Sequence, residues 1–218
     1  MKKLLLTMMV LAIFASCDKK EKEAAKDDVK KVGETIENAA TKVADKTGKT
    51  AKDVENYFKE YKTKTGKGFV VDQEGEGSLV TVKITPKGFG HAEPIVLKDI
   101  DPVSKVFLAD LNNDGFEEIY VVTNSVGSGS YAGLYGYSSN QDKSVTPITI
   151  PEISKKDLDG KFKGYMGHDM FYIENGKLYR KFPVYKEGDS NANPTGGDMV
   201  TEYILKSGEA SWKLVLKK

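Results

Sequence analysis

Beyond Lys67, the apolar residues of this 218-residue chain fall on every second position, in short runs separated by Gly, Asn, Asp or Pro. Val80, Val82 and Ile84 alternate with Thr81 and Lys83, which turns one face of an extended segment toward a core and the other toward water. Comparable runs occupy Pro94–Leu97, Lys105–Leu108, Glu118–Thr123, Tyr131–Tyr137 and Met170–Ile173, then Lys177–Tyr185, Val200–Leu205 and Trp212–Leu216. Glu174-Asn175-Gly176-Lys177 is a two-residue hairpin signal, because Asn-Gly tolerates positive φ at both central positions. Ser207-Gly208-Glu209-Ala210 reads as another hairpin turn. Many short strands with almost no helical spacing predict an all-β fold, an antiparallel β-sandwich or barrel, and the sandwich is expected over residues 68–218.

The N-terminus follows other rules. Lys2 and Lys3 precede an apolar run, Leu4 to Phe14, that is too short for a permanent membrane helix. Ala15-Ser16-Cys17 then places small residues before the one cysteine in the chain, and the segment resembles the lipobox of bacterial lipoproteins. That resemblance implies a signal peptide over residues 1–16, lipid on Cys17 and anchorage to a membrane of the cell envelope, with the outer membrane expected. A lipidated Cys17 leaves no thiol for a disulfide, a nucleophile or a thiolate metal site. From Cys17 to Lys67 the chain is rich in Lys, Glu, Asp, Ala and Thr. Ala25, Val29, Val32, Ile36, Ala39 and Val43 mark one thin helical face, and Ala51, Val54, Phe58 and Tyr61 resume it after Thr47-Gly48. A charged tether, partly helical or disordered, is expected over 17–67.

Charge narrows the partners. Residues 18–67 hold 14 lysines against 11 acidic residues, and residues 68–218 hold 17 basic against 21 acidic residues. An acidic β-domain argues against nucleic acid and suits a basic protein partner. Self-association as a homodimer is left open. Catalytic signatures are missing. The two histidines, His91 and His168, are far apart in sequence and form no metal-binding pair. Val126-Gly127-Ser128-Gly129-Ser130 sits between two strands, whereas a nucleophile elbow leads from a strand into a helix. No catalytic residue is assigned. His168 beside Asp169 reads as a turn histidine.

Asp110-Leu111-Asn112-Asn113-Asp114-Gly115-Phe116-Glu117-Glu118 offers side-chain oxygens at Asp110, Asn112 and Asp114, a turn at Gly115 and a carboxylate at Glu118. This is the donor type of a calcium loop, and it resembles the Asp-x-Asn-x-Asp-Gly loops of integrin-type β-propeller repeats. It is not an EF-hand, since Val121 stands at position twelve. The same residue types build an Asx-stabilised turn without metal, so both readings stand, with no cofactor required.

Four blocks in order carry a further resemblance. They are Ala109–Gly115 with the strand Glu118–Val122, then Gly127-Ser128-Gly129-Ser130-Tyr131 continuing to Lys143-Ser144, then Gly164-Tyr165-Met166-Gly167-His168-Asp169, and last Arg180–Tyr185 with Gly188–Gly196. Over roughly Gly77 to Leu216 the chain resembles the periplasmic lysozyme inhibitors of the invertebrate-type (i-type) class. The resemblance implies a β-sandwich that enters the lysozyme cleft with a loop, here Ser128, Gly129, Ser130 and Tyr131, and so protects peptidoglycan. Small residues suit a narrow protrusion, the Ser128 hydroxyl can donate to a cleft carboxylate, and Tyr131 can brace the loop or touch the partner. Arg180 and Lys181 read either as a basic edge of the interface or as a solvated strand face, and the Asn193–Gly197 turn as a flank of the loop. The lipobox and the long tether depart from the soluble periplasmic pattern. The rival expectation is a calcium-binding surface lipoprotein whose β-domain binds carbohydrate or adheres to a surface.

Overall fold

Glu118 through Thr123 are buried without a break. Burial on one face of a sheet cannot produce this; a strand covered on both faces can. The computed structural model describes residues 57–217 and explains the pattern. The signal segment, Cys17 and nearly all of the tether lie outside the described residues.

Three four-stranded antiparallel sheets follow one another along the chain. The first contains β1 (Phe58–Lys62), β2 (Gly68–Glu74), β3 (Val80–Lys87) and β4 (Ile95–Ile100). The second contains β5 (Val103–Ala109), β6 (Glu118–Asn124), β7 (Ala132–Asn140) and β8 (Ser144–Ile148). The third contains β9 (Met170–Glu174), β10 (Lys177–Pro183), β11 (Asp198–Ser207) and β12 (Trp212–Leu216). In each sheet, strands adjacent in sequence are paired. One helical turn, α1 (Lys155–Leu158), is capped by Ser154 and Asp157 in a reciprocal capping box.

The all-β sandwich expectation holds, with a layer added. The second sheet has a core on each side. Ile119, Val121, Val106 and Tyr137 meet Phe69, Val71, Val80, Val82 and Ile84 of the first sheet. Tyr120, Val122, Leu134 and Ile148 meet Phe171, Leu178, Tyr203, Leu205 and Leu214 of the third. Alternate residues of β6 thus serve opposite cores, and each aliphatic side chain fully removed from water contributes about 1.5–3 kcal/mol. Polar ties join the layers. The Val103 N–H donates to Gln73 Oε1 at 2.8 Å, and Thr149 exchanges backbone bonds with Trp212 and Leu214, each at 2.9 Å. Pro147 lies in β8, an edge strand of its sheet, where a missing N–H is tolerated.

The Asn175-Gly176 hairpin forms as its dipeptide requires, with φ of 50° and 71°. The domain starts earlier than the expected boundary at Gly68. Phe58 and Tyr61, which by spacing continue the helical face of the tether, lie in β1, which pairs with β2 from Phe58↔Asp72 to Lys62↔Gly68. The turn after β1 decides this: Thr63 N–H donates to the Lys67 carbonyl and Gly66 N–H to the Thr63 carbonyl. Three residues apart, the two aromatics share a helix face but take opposite faces of a strand.

Candidate functional site

The two ends of β6 carry the two candidate sites. At its C-terminal end, Ser125–Tyr131 connects to β7 beyond the last strand pair, Asn124↔Ala132. The Ser125 N–H donates to the Tyr131 carbonyl at 3.0 Å, and the Tyr131 N–H returns a bond to Ser125 Oγ at 2.8 Å. A tighter turn sits above, closed by the Ser130 N–H on the Gly127 carbonyl at 2.9 Å. Val126, Gly127 and Ser128 are exposed at the tip.

This loop is held from behind by distant segments. The Ser128 carbonyl accepts from Asn191 Nδ2, and the Gly129 carbonyl accepts from the His168 N–H at 2.7 Å. Asn191 is itself held, its carbonyl accepting from the Tyr185 hydroxyl at 2.9 Å and its Oδ1 lying 3.2 Å from His168 Nε2. Gly167, at φ +88°, approaches so closely that a Cβ would overlap the Gly129 carbonyl. The Tyr131 ring folds over Gly129, where a side chain would collide with it, and meets Tyr165 edge-on at 5.8 Å. Tyr131 therefore braces the loop while keeping 48% of its surface exposed. Gly127 differs: its φ is not left-handed and a Cβ there would meet nothing within 4 Å.

Beneath the loop lies a buried ion pair. Asp169 Oδ1 accepts from the Ala132 N–H at 2.9 Å and from the Tyr165 hydroxyl at 3.2 Å, while Oδ2 accepts from Arg180. Arg180 also donates to the Tyr165 hydroxyl at 2.7 Å and lies over the rings of Phe162, Tyr165 and Phe171. Burial is the largest influence and works against the charge of Arg180, but the Asp169 carboxylate together with Tyr165 and Tyr203 outweighs it and the guanidinium pKa is raised. Burial also raises the Tyr165 phenol, so it remains a donor. Neither reading of Arg180 made from the sequence holds. It is no basic edge and no solvated side chain, because it sits on the inward face of β10 between Leu178 and Phe182. Lys181, its neighbour on the outward face, pairs with Asp198 at 2.7 Å.

At the N-terminal end of β6, the acidic turn is held from within. The Asp114 and Gly115 N–H groups donate to Asp110 Oδ1 and Oδ2, both at 3.0 Å. The Phe116 N–H donates to Asp114 Oδ1 at 2.9 Å, and Asn112 reaches Asp114 through both its side-chain oxygen and its amide. Oxygens of Asp110, Asp114 and Glu118 lie within 4.8 Å of one another. Glu118 is fully buried; its Oε2 accepts from the Leu111 N–H at 2.8 Å, and its Oε1 has no partner. Burial, reinforced by the charges of Asp110 and Asp114 and opposed by the Leu111 N–H, pushes the Glu118 carboxyl from 4.5 up to about 8.

The structure thus places Ser128, Gly129, Ser130 and Tyr131 in one short loop and Asp110, Asn112, Asp114 and Glu118 in one turn, with the length of β6 between them. His168, at φ 53°, follows the bend at Gly167 and bonds to Gly129 and Asn191. The residue that flanks the loop is Asn191, just before the expected Asn193–Gly197 turn, which is itself tied to Val184 through Gly196 and Gly197. Asn191, Asp169 and Arg180 are the supports that residue types alone did not reveal, although Arg180 keeps strict alternation with Leu178 and Phe182. Among the described residues, no helix is long and apolar enough to cross a membrane. No protein-family model matches this chain, and no curated protein and no solved structure shows significant similarity to it.

Proposed function

We propose that this protein is a lipid-anchored inhibitor of lysozyme, of the invertebrate type in the first instance, that blocks the active-site cleft with the Ser128–Tyr131 loop. The observation carrying this reading is a loop whose tip is exposed while the Ser128 and Gly129 carbonyls behind it are tied to Asn191 and His168. Ordering a free loop on binding costs about 1–2 kcal/mol per residue in backbone entropy. Here that cost is met when the domain folds, which favours tight binding by a small contact.

The tip also has the right shape. Among the described residues nothing requires glycine at Gly127, so a narrow profile toward a partner is a reason for it. The Ser128 hydroxyl, at the outermost turn, can donate to a carboxylate in a cleft and replace a water there. The half-exposed Tyr131 ring gives a rigid aromatic flank. An acidic β-domain attracts a cationic enzyme over long range. Lipid on Cys17 and the charged tether would hold this domain off a membrane of the cell envelope, the outer membrane in this reading, where peptidoglycan needs protection. Inhibition by occupation needs no catalytic group in the inhibitor.

The test uses the chain from Asp18, without lipid, against i-, c- and g-type lysozymes in a cell-wall lysis assay. Inhibition of at least one class is expected. Ser128→Asp, which sets a carboxylate against those of the cleft, should weaken inhibition by about tenfold or more, the factor that 1.4 kcal/mol represents. It should leave the melting temperature unchanged, because Ser128 is exposed. Failure to inhibit any class would remove the reading.

A further inference from the structure

We infer that Asp110, Asn112, Asp114 and Glu118 form a calcium site at the end of β6 opposite the loop. The acidic turn alone does not require this, since its internal hydrogen bonds make a stable Asx turn. The decisive group is Glu118. It lies at 0% exposure on β6, with one carboxylate oxygen bound by the Leu111 N–H and the other bound by nothing. Protonating Glu118 does not answer the charges of Asp110 and Asp114 beside it. A cation does, because it bonds directly to the orphaned oxygen and offsets the mutual repulsion of three carboxylates within 4.8 Å.

The donor chemistry selects the ion. All the side-chain donors are oxygens, and no histidine or cysteine belongs to the cluster, which disfavours zinc and copper. The set mixes carboxylates with an amide on a short turn, with Gly115 at φ +90° giving the sharp bend. Calcium accepts such irregular oxygen shells, whereas magnesium demands near-octahedral ligands and keeps its waters. The affinity expected of an extracellular module is a Kd of about 10⁻⁴ to 10⁻³ M, suited to permanent occupation where calcium is abundant. β6 separates this turn from the lysozyme-binding loop by roughly 20 Å, seven residues at strand rise, so the ion would clamp the middle sheet and not touch the partner. The site stands whether or not the chain inhibits lysozyme.

The experiment is calorimetric titration of the chain from Asp18 with calcium, beside thermal melts in chelator, calcium and magnesium. Saturating calcium, about 10 mM, is expected to raise the melting temperature by about 3–10 °C over chelator. Magnesium should leave the melt where chelator leaves it. Asp114→Asn, an exposed change that keeps one side-chain oxygen, should weaken calcium at least tenfold while the chain still melts cooperatively in chelator. Glu118→Gln should abolish the calcium response. Superimposed melts in chelator and calcium with no binding heat would overturn the site. So would a wild-type response in both variants, and an equal response to magnesium would overturn the assignment to calcium.

Discussion

The two turns at the ends of β6 hold their shape by opposite means. The Asp110–Glu118 turn is tied by its own side chains, over two to five residues. The Ser125–Tyr131 loop takes its decisive ties from residues 39 and 63 positions away, through His168 on Gly129 and Asn191 on Ser128. One turn has more negative charge than partners for it. The other has its backbone satisfied from behind and an uncharged tip. Self-tying lets a turn gather like charges, which suits a cation. Tying from outside fixes a tip without using its side chains, which suits insertion into another protein.

The contrast can be broken most forcefully at Arg180. Arg180→Ala leaves Asp169 buried and unpaired, and is expected to cost about 3–5 kcal/mol in urea unfolding. It should also loosen the loop, since Asp169 anchors the Ala132 N–H, while the response of the acidic turn to calcium persists. Lys181→Ala, at the exposed pair beside it, should leave the unfolding midpoint where it is. Equal effects of the two changes would show that the ion pair is not a support.

Two glycines sharpen the contrast. Gly115 and Gly167 both have positive φ, but a Cβ on Gly115 meets open space and one on Gly167 meets the Gly129 carbonyl. Gly115→Ala is expected to cost about 1 kcal/mol from backbone conformation alone. Gly167→Ala should cost about 2–3 kcal/mol and reduce lysozyme inhibition as well. Denaturant midpoints and inhibition constants of the two variants together check this.

The last expected effect concerns protons. In chelator, the folded chain keeps a proton on Glu118 up to about pH 8, while the unfolded chain loses it near 4.5. Between those values the folded state binds more protons, so its stability falls as pH rises. Glu118→Gln should therefore gain on the wild type through this window, by at most about 1.4 kcal/mol per pH unit, and the gain should level off above about pH 8. A constant difference between the two across pH 5–9 would contradict the buried carboxylate.

Much of the fold is legible in the sequence because its cause is local. Period-two runs and an Asn-Gly turn act over a few residues, and β3, β6 and β10 lie where they point. The second core goes unread, although the unbroken apolar run Ile119–Val122 carries its signature: no face is left over for water. β1 escapes because charged FKEYK is an edge strand whose place is set by β2 and the turn between them, not by its own pattern. In the site, the loop and the acidic turn are contiguous in sequence and each is legible as a unit. Asn191 and Asp169 are not, because a hydrogen bond across 37 or 63 residues depends on the assembled sheets. Arg180 is within reach, since a charge that alternates with Leu178 and Phe182 must enter the core with a partner.

The order of the sheets bears on how the chain reaches its native state. Each strand pairs with one just made, so the hydrogen-bond ladders close over short loops at small entropic cost. The contacts most distant in sequence lie between the sheets and not within their ladders. An all-β protein usually folds slowly because its pairings are distant, whereas a chain of consecutive meanders has a lower contact order than its strand content suggests. We expect β6, dry only after both neighbours have docked, to give the slowest-exchanging amides in the molecule, and its burial to mark the end of folding.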